Sequence, residues 1–284
     1  MTLLRFSVVC GCAAAAVGCA REATFTEPLP ALAGIHWVNA VPDTGQQDIR
    51  VIDIVSNAGL FDANYRGSNM FHQGIEAGTR TVRIFNSSTD PAIASQILQE
   101  TSLPVTADAD YTFIHAGFAR TGQTPARTVL VIPDTPPTPG AGQVAVRAIN
   151  AGAGLGAVDV FVVKRPVNPA TVDSLPDARA ATNVAFGAAG VYVTVGADTI
   201  AADTTRVVFT TTGTKTVLAA IVAPAGVAGT ATANPIAGSR IAGSVLSAIL
   251  VPRSVAGSAA PQTAAFLVPS TVYLVDRRPA NTAP

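Results

Sequence analysis

This 284-residue sequence predicts an all-β fold in two tandem antiparallel β-sandwiches, preceded by a removable N-terminal export segment. Three observations lead there. The composition is 49% hydrophobic and rich in Val, Ala, Thr, Gly and Pro, while Lys, a helix former, occurs only at Lys164 and Lys215. A run of prolines and glycines at "PDTPPTPGAG", Pro133 to Gly142, breaks the chain near its middle. The segments on either side of that break carry the same pattern of short blocks.

The N-terminal segment is "MTLLRFSVVCGCAAAAVGCAREAT", with a positive charge at Arg5 ahead of an apolar run from Phe6 to Val17. That run is roughly half of the ~20 residues a spanning helix needs, so residues 1–18 read as a signal peptide. The ending "AVGC", Ala16 to Cys19, resembles the lipobox of bacterial lipoproteins, although Ala16 stands where Leu is usual. The resemblance implies lipidation of Cys19. Cys10 and Cys12 lie in the part to be removed, so the remaining chain has one cysteine and cannot form an internal disulfide. More than one acyl chain would hold such a protein firmly, at about 0.8 kcal/mol per buried methylene. Ala20 follows the cysteine where Asp would direct retention, and by resemblance to Gram-negative sorting this favours the outer membrane or cell surface. Residues 19–33 read as a tether.

The first sandwich is expected over 34–133, a linker over 134–142, and a second sandwich with additional C-terminal strands over 143–278. "WVNAVPDTGQQDIRVID" from Trp37 aligns with "AINAGAGLGAVDVFVVK" from Ala148, placing Asn39 on Asn150 and Asp48 on Asp159. "AGTRTVRIF" from Ala77 aligns with "AGVYVTVG" from Ala189, and "LPVTADADYTFIHAGFA" from Leu103 with "VVFTTTGTKTVLAAIVA" from Val207. The short polar turns "TADAD" and "TTTGT" suit antiparallel hairpins. Nothing long enough to be a crossover helix recurs, which excludes a parallel α/β fold.

Several chemistries can be weighed. Gly152, Gly154 and Ala157 have the spacing of a dinucleotide fingerprint, but they lead into the strand "VDVFVVK" where such a site requires a helix, so no nucleotide is expected. A formal net charge of zero with only 13% charged residues provides no basic face for nucleic acid. The histidines are His36, His72 and His115; the first aligns with Arg147 and the last with Ala219, while His72 has no clear counterpart. No short His pair is present, and no metal or cofactor is expected. Asp43, Asp48 and Asp53 lack calcium-loop spacing, and Asp48 and Asp159 read as acceptors for turn amides. No G-x-S-x-G or Ser-x-x-Lys signature occurs, so no enzyme is expected and no catalytic residue is nominated. The candidates for ligand binding are Trp37 and the aromatics Phe61, Tyr65 and Phe71 of "LFDANYRGSNMFHQG".

The paired blocks "VNAVPDTGQQDIRVID" and "INAGAGLGAVDVFVV", each followed by "AG" and an alternating strand, resemble the bacterial family catalogued as domain of unknown function 4397. The resemblance implies two tandem Ig-like antiparallel β-sandwich domains after a cleaved lipoprotein signal peptide, and it brings no catalytic residues. The expectation is a membrane-anchored, non-catalytic binding or interaction module of the cell envelope. Its partners would be the membrane, through the lipid, and an envelope protein or glycan. The alternatives are a passive spacer and, more remotely, a cryptic hydrolase.

Overall fold

The computed structural model describes residues 29–54, 58–164, 175–199 and 204–281; the segment read as a signal peptide, Cys19 and most of the segment read as a tether lie outside them. The elements of the first half are β1 (Leu32–Ala40), β2 (Gln47–Val51), β3 (Leu60–Ala63), β4 (Gln73–Glu76), β5 (Gly78–Asn86), a single helical turn α1 (Pro91–Ala94), β6 (Ile97–Val105), β7 (Asp110–Ala116) and β8 (Thr128–Asp134). The second half contains β9 (Gln143–Asn150), β10 (Val158–Val163), β11 (Ala181–Val184), β12 (Val193–Gly196), β13 (Arg206–Thr211), β14 (Val217–Val222), β15 (Val245–Val251) and β16 (Ser270–Arg277). No helix among the described residues is long and apolar enough to cross a membrane.

The strands form four sheets of four, ordered β3-β2-β5-β6, β4-β1-β7-β8, β12-β9-β15-β16 and β11-β10-β13-β14. Advancing each strand number by eight converts the first two sheets into the last two. The copies therefore share one topology, including the parallel pairs β1–β7 and β9–β15 in otherwise antiparallel sheets.

This register revises the alignment of the later blocks. β5 corresponds to β13, β6 to β14 and β7 to β15, so the strands that complete the second sandwich lie in the C-terminal 245–277 stretch. "TTTGT" does close a hairpin, β13–β14, whereas "TADAD" carries the chain from β6 in one sheet to β7 in the other. His115 pairs with Asn39 as Leu250 pairs with Asn150, which makes Leu250, not Ala219, its counterpart.

Alternation along the inner strands assigns two faces. Ala33, Ile35 and Trp37 of β1 pack with Ile49, Val82 and Ile84 of the outer sheet to form the first core. Val38 and Ala40, on the opposite face of β1, pack with Ile149, Ala151, Ile249 and Val251 of the second copy. The two β1-type sheets thus meet face to face, and the halves are joined across an apolar seam. Each Val, Leu or Ile side chain fully buried there contributes about 1.5–3 kcal/mol. This is why β15, "VLSAILV", is buried at every position: it has a core on each side.

Candidate functional site

The recurring Asn and Asp are structural, and equivalent in detail. The Asn39 carboxamide accepts from Val41 N–H and donates to the Ala63 and Asn64 carbonyls; Asn150 accepts from Gly152 N–H and donates to those of Gly156 and Val184. Asp48 accepts from the Asp62 amide at 2.9 Å, and Asp159 accepts from the amides of Asn183 and Gly213, each at 2.9 Å. Both thus accept backbone amides, as the sequence suggested, and each also pairs with an arginine, Arg50 or Arg179.

The aromatic candidates do not converge. Trp37 is 0% exposed, donates to the Ala58 carbonyl and packs on Phe113 in the first core. Tyr65 is 2% exposed; its hydroxyl donates to the Pro252 carbonyl, and burial pushes its pKa up to about 12. Neither belongs to an exposed recognition face. Phe61 is exposed beside Arg50, while Phe71 packs against the core of the second copy, with the Arg278 guanidinium 3.8 Å from its ring centroid.

The segment carrying them joins the two copies. Arg66 donates to the carbonyls of Pro252, Ala265 and Val268 on the β15–β16 connection, and Val275 N–H donates to the Met70 carbonyl. Arg66 adopts φ +69, and its counterpart in the second copy is Gly187 at φ +80, which reaches this left-handed turn without strain. The equivalence rests on the backbone bonds: Arg66 and Gly187 donate to the carbonyls of Asn39 and Asn150 respectively.

Within the seam lies a buried polar cluster whose members correspond between the two copies by strand register. His36 on β1 corresponds to Arg147 on β9. Gln73 pairs with Ile35 as Val193 pairs with Val146, so His72 corresponds to Tyr192. Thr112 opposite His36 corresponds to Ser247 opposite Arg147. Thr112 donates to Asp134 and Ser247 to Asp276, which pairs these carboxylates too. Within each copy, His72 meets Asp134 at 3.0 Å and the Tyr192 hydroxyl meets Asp276 at 2.9 Å. Between copies, Arg147 donates to Asp134, and His36 faces Asp276.

The electrostatics of this cluster follow from burial. Burial, with His72 adding to it, holds the His36 pKa down at about 4, so its 3.9 Å approach to Asp276 is not an ion pair at neutral pH. Burial, opposed by Arg147, pushes Asp276 up to about 6. Burial also acts to raise Asp134, but hydrogen bonds from His72, Arg147 and Thr112 and the Arg147 charge outweigh it and hold its pKa low. A cavity of about 360 Å³, lined by Phe71, His72, Val275, Asp276, Arg277 and Arg278, connects the cluster to the surface.

A larger cavity, about 790 Å³, opens where loops of both copies meet, away from these charges. Phe118 of the first copy faces Gly154 and Leu155 of the "GAGLG" loop, with Pro252, Val255 and Leu267 completing an apolar lining and Arg253 at hand. Sequence reasoning nominated neither this pocket nor Asp134, Arg147, Tyr192 and Asp276. A repeated Asp-x-x-Pro at the end of the last strand of each copy, Asp134 to Pro137 and Asp276 to Pro279, was the available signal for the two carboxylates.

Comparison with known proteins adds a family match. Residues 33–161 match the model described as "Domain of unknown function (DUF4397)", which covers the first sandwich and reaches into β10. No protein with a curated description matches significantly. Among solved structures, a leucine-rich repeat protein from Bacteroides thetaiotaomicron VPI-5482 aligns with 74% of this chain at 13% identity. The alignment spans 25% of that protein, and its TM-score of 0.17 is too low to bear on fold or function.

Proposed function

We propose that this chain is an exported, lipid-anchored module of the cell envelope that binds a ligand without catalysing a reaction, using the pocket where loops of both sandwiches meet. The pocket carries the reading. Its volume of about 790 Å³ falls within the roughly 300–1,000 Å³ range of small-ligand clefts, and its lining is mainly apolar with a few polar groups. It draws on Phe118 from one copy and on 153–155 and 252–269 from the other, so docking of the copies creates it. The Ig-like architecture that the sequence resemblance implies would suit this placement, because sandwiches of that kind present ligands with loops clustered at one end. The anchoring part rests on the export segment and the Ala16–Cys19 lipobox resemblance.

The test is capture of a ligand from solubilised envelope and from a glycan array by immobilised residues 30–284. Leu155→Arg and Leu267→Arg variants should lose a ligand that the unaltered chain holds, and Phe61→Ala should retain it. Capture that survives both Arg substitutions refutes the pocket assignment, and no capture from either source favours the spacer. Cys19→Ser should release the full-length protein from membranes; retention at full yield would sink the anchoring claim.

A further inference from the structure

We propose that His36, His72, Asp134 and Asp276 form a site for one divalent transition-metal ion, of which zinc fits the donors best. His36, His72 and Asp134 each offer a ligand atom, and these atoms lie within 4.8 Å of one another. Asp276 brings a second carboxylate, its Oδ1 3.9 Å from His36 Nε2.

Two orphaned atoms point to an occupant. His36 Nδ1 lies 3.1 Å from the Asn69 carbonyl oxygen, which can only accept, so Nδ1 carries the ring proton and Nε2 presents a lone pair. Asp276 Oδ2 accepts from Tyr192 and Ser247, but its Oδ1 has no hydrogen-bond partner, and His36 Nε2 has none of good geometry, although the Val275 carbonyl lies near enough to act on the ring. Both side chains are fully buried. Two buried acceptors facing each other across 3.9 Å cannot bond to each other, and leaving both unsatisfied is costly. A cation between them resolves both.

The dimensions and chemistry favour zinc. Four ligands at about 2.0–2.2 Å from a tetrahedral centre stand about 3.4 Å apart. The present separations, 3.9 Å for His36–Asp276 and 3.0 Å for His72–Asp134, lie on either side of that spacing, and the His36 and His72 rings, with centroids 3.8 Å apart, must part by roughly 1 Å for both to reach one tetrahedral ion. The His72–Asp134 hydrogen bond gives way to two bonds to the ion. Calcium and magnesium prefer six or more oxygen donors, whereas two imidazoles with two carboxylates suit zinc. The bonds that would orient these ligands are already in place: Asn69 orients His36, Thr112 and Arg147 hold Asp134, and Ser247 and Tyr192 hold Asp276. The two carboxylates and Arg147 sum to one net negative charge for the ion to meet, and the 360 Å³ cavity beside His72 and Asp276, lined also by Arg277 and Arg278, is the entry path. Because ligands come from both copies, the ion would also lock the seam.

The experiment uses the full-length chain, made without an affinity tag, stripped with chelator and titrated with Zn²⁺ alone or with Co²⁺. The expected result is one ion per chain, visible ligand-field absorption of four-coordinate Co²⁺, and a rise in the urea midpoint on adding Zn²⁺. His36→Gln and Asp276→Asn should each weaken binding by more than about 100-fold, while the exposed Asp177→Asn leaves it unchanged. His72→Gln serves if a buried substitution fails to fold, since that side chain reaches the surface. Absence of stoichiometric binding, which would leave a bridging water as the occupant, overturns the proposal. So does binding that is indifferent to all three ligand substitutions.

Discussion

Replacing Arg147 with Met removes the one guanidinium of the seam cluster while retaining most of its volume. Arg147 donates through Nε to Ser247 at 2.7 Å, through Nη1 to the Pro133 carbonyl at 3.0 Å and through Nη2 to Asp134, and its Nε lies 3.8 Å from Asp276. Its side chain is 3% exposed and that of Asp134 is fully buried, so the variant leaves a buried carboxylate without its counter-charge. Breaking a buried pair from one side costs about 3–5 kcal/mol. For a unit of this size that lowers Tm by roughly 6–20 °C, at about 2–4 °C per kcal/mol. Urea unfolding in excess EDTA, followed for the unaltered chain, Arg147→Met, Asp134→Asn and the double variant, gives the magnitude directly. The double variant should recover about 2 kcal/mol relative to the sum of the single losses. A loss below about 1 kcal/mol for Arg147→Met, or strict additivity, would refute the view that a coupled charge pair holds the seam.

Three further outcomes follow from other parts of the molecule. Arg66→Gly supplies the residue the second copy uses at this turn but deletes the bonds to Pro252, Ala265 and Val268, so trypsin should cleave after exposed Arg253 several-fold faster; an unchanged rate removes the clasp role. His115 is fully buried, and burial, with Arg127 nearby, holds its pKa down at about 3. The unfolded chain therefore binds the proton first, and stability is complete above pH 6.5 and lost as pH falls from there toward 3, by about 1.4 kcal/mol per unit. His115→Leu, copying Leu250, should flatten the stability profile between pH 6.5 and 5 by about 1.5–2 kcal/mol; an unchanged slope contradicts the assignment. Asp159→Ala strands the amides of Asn183 and Gly213 and the Arg179 guanidinium, and should cost about 2–3 kcal/mol by urea unfolding, with less than about 0.5 arguing against that role.

The all-β architecture, its duplication and the turn-capping aspartates were legible because each leaves a local mark: alternation, a Pro-rich break, and Asn and Asp recurring at one spacing. The tail was harder to read. β15 is buried on both faces, so "VLSAILV" shows no alternation and nothing in it distinguishes a strand. The later blocks of the two copies are short runs of Val, Thr and Ala that align almost equally well one strand out of step, so that by sequence β6–β7 matches β13–β14. The seam cluster was hidden for a different reason. Its members come from two sheets and from positions as far apart as His36 and Asp276, and Asp134 was assigned to the linker because prolines surround it. Only pairing register brings them together. Trp37 and Tyr65 illustrate the converse, since composition cannot tell an aromatic that anchors a core or a clasp from one that faces a ligand.

Docking of the two copies into one body underlies both the loop pocket and the seam site, and differential scanning calorimetry of residues 30–284 tests it most directly. A single transition, with calorimetric and van't Hoff enthalpies equal, is the result expected when an apolar seam and a shared charge cluster couple the sandwiches. Two resolved transitions, each unaffected by Arg147→Met, would show that the copies fold and stand independently.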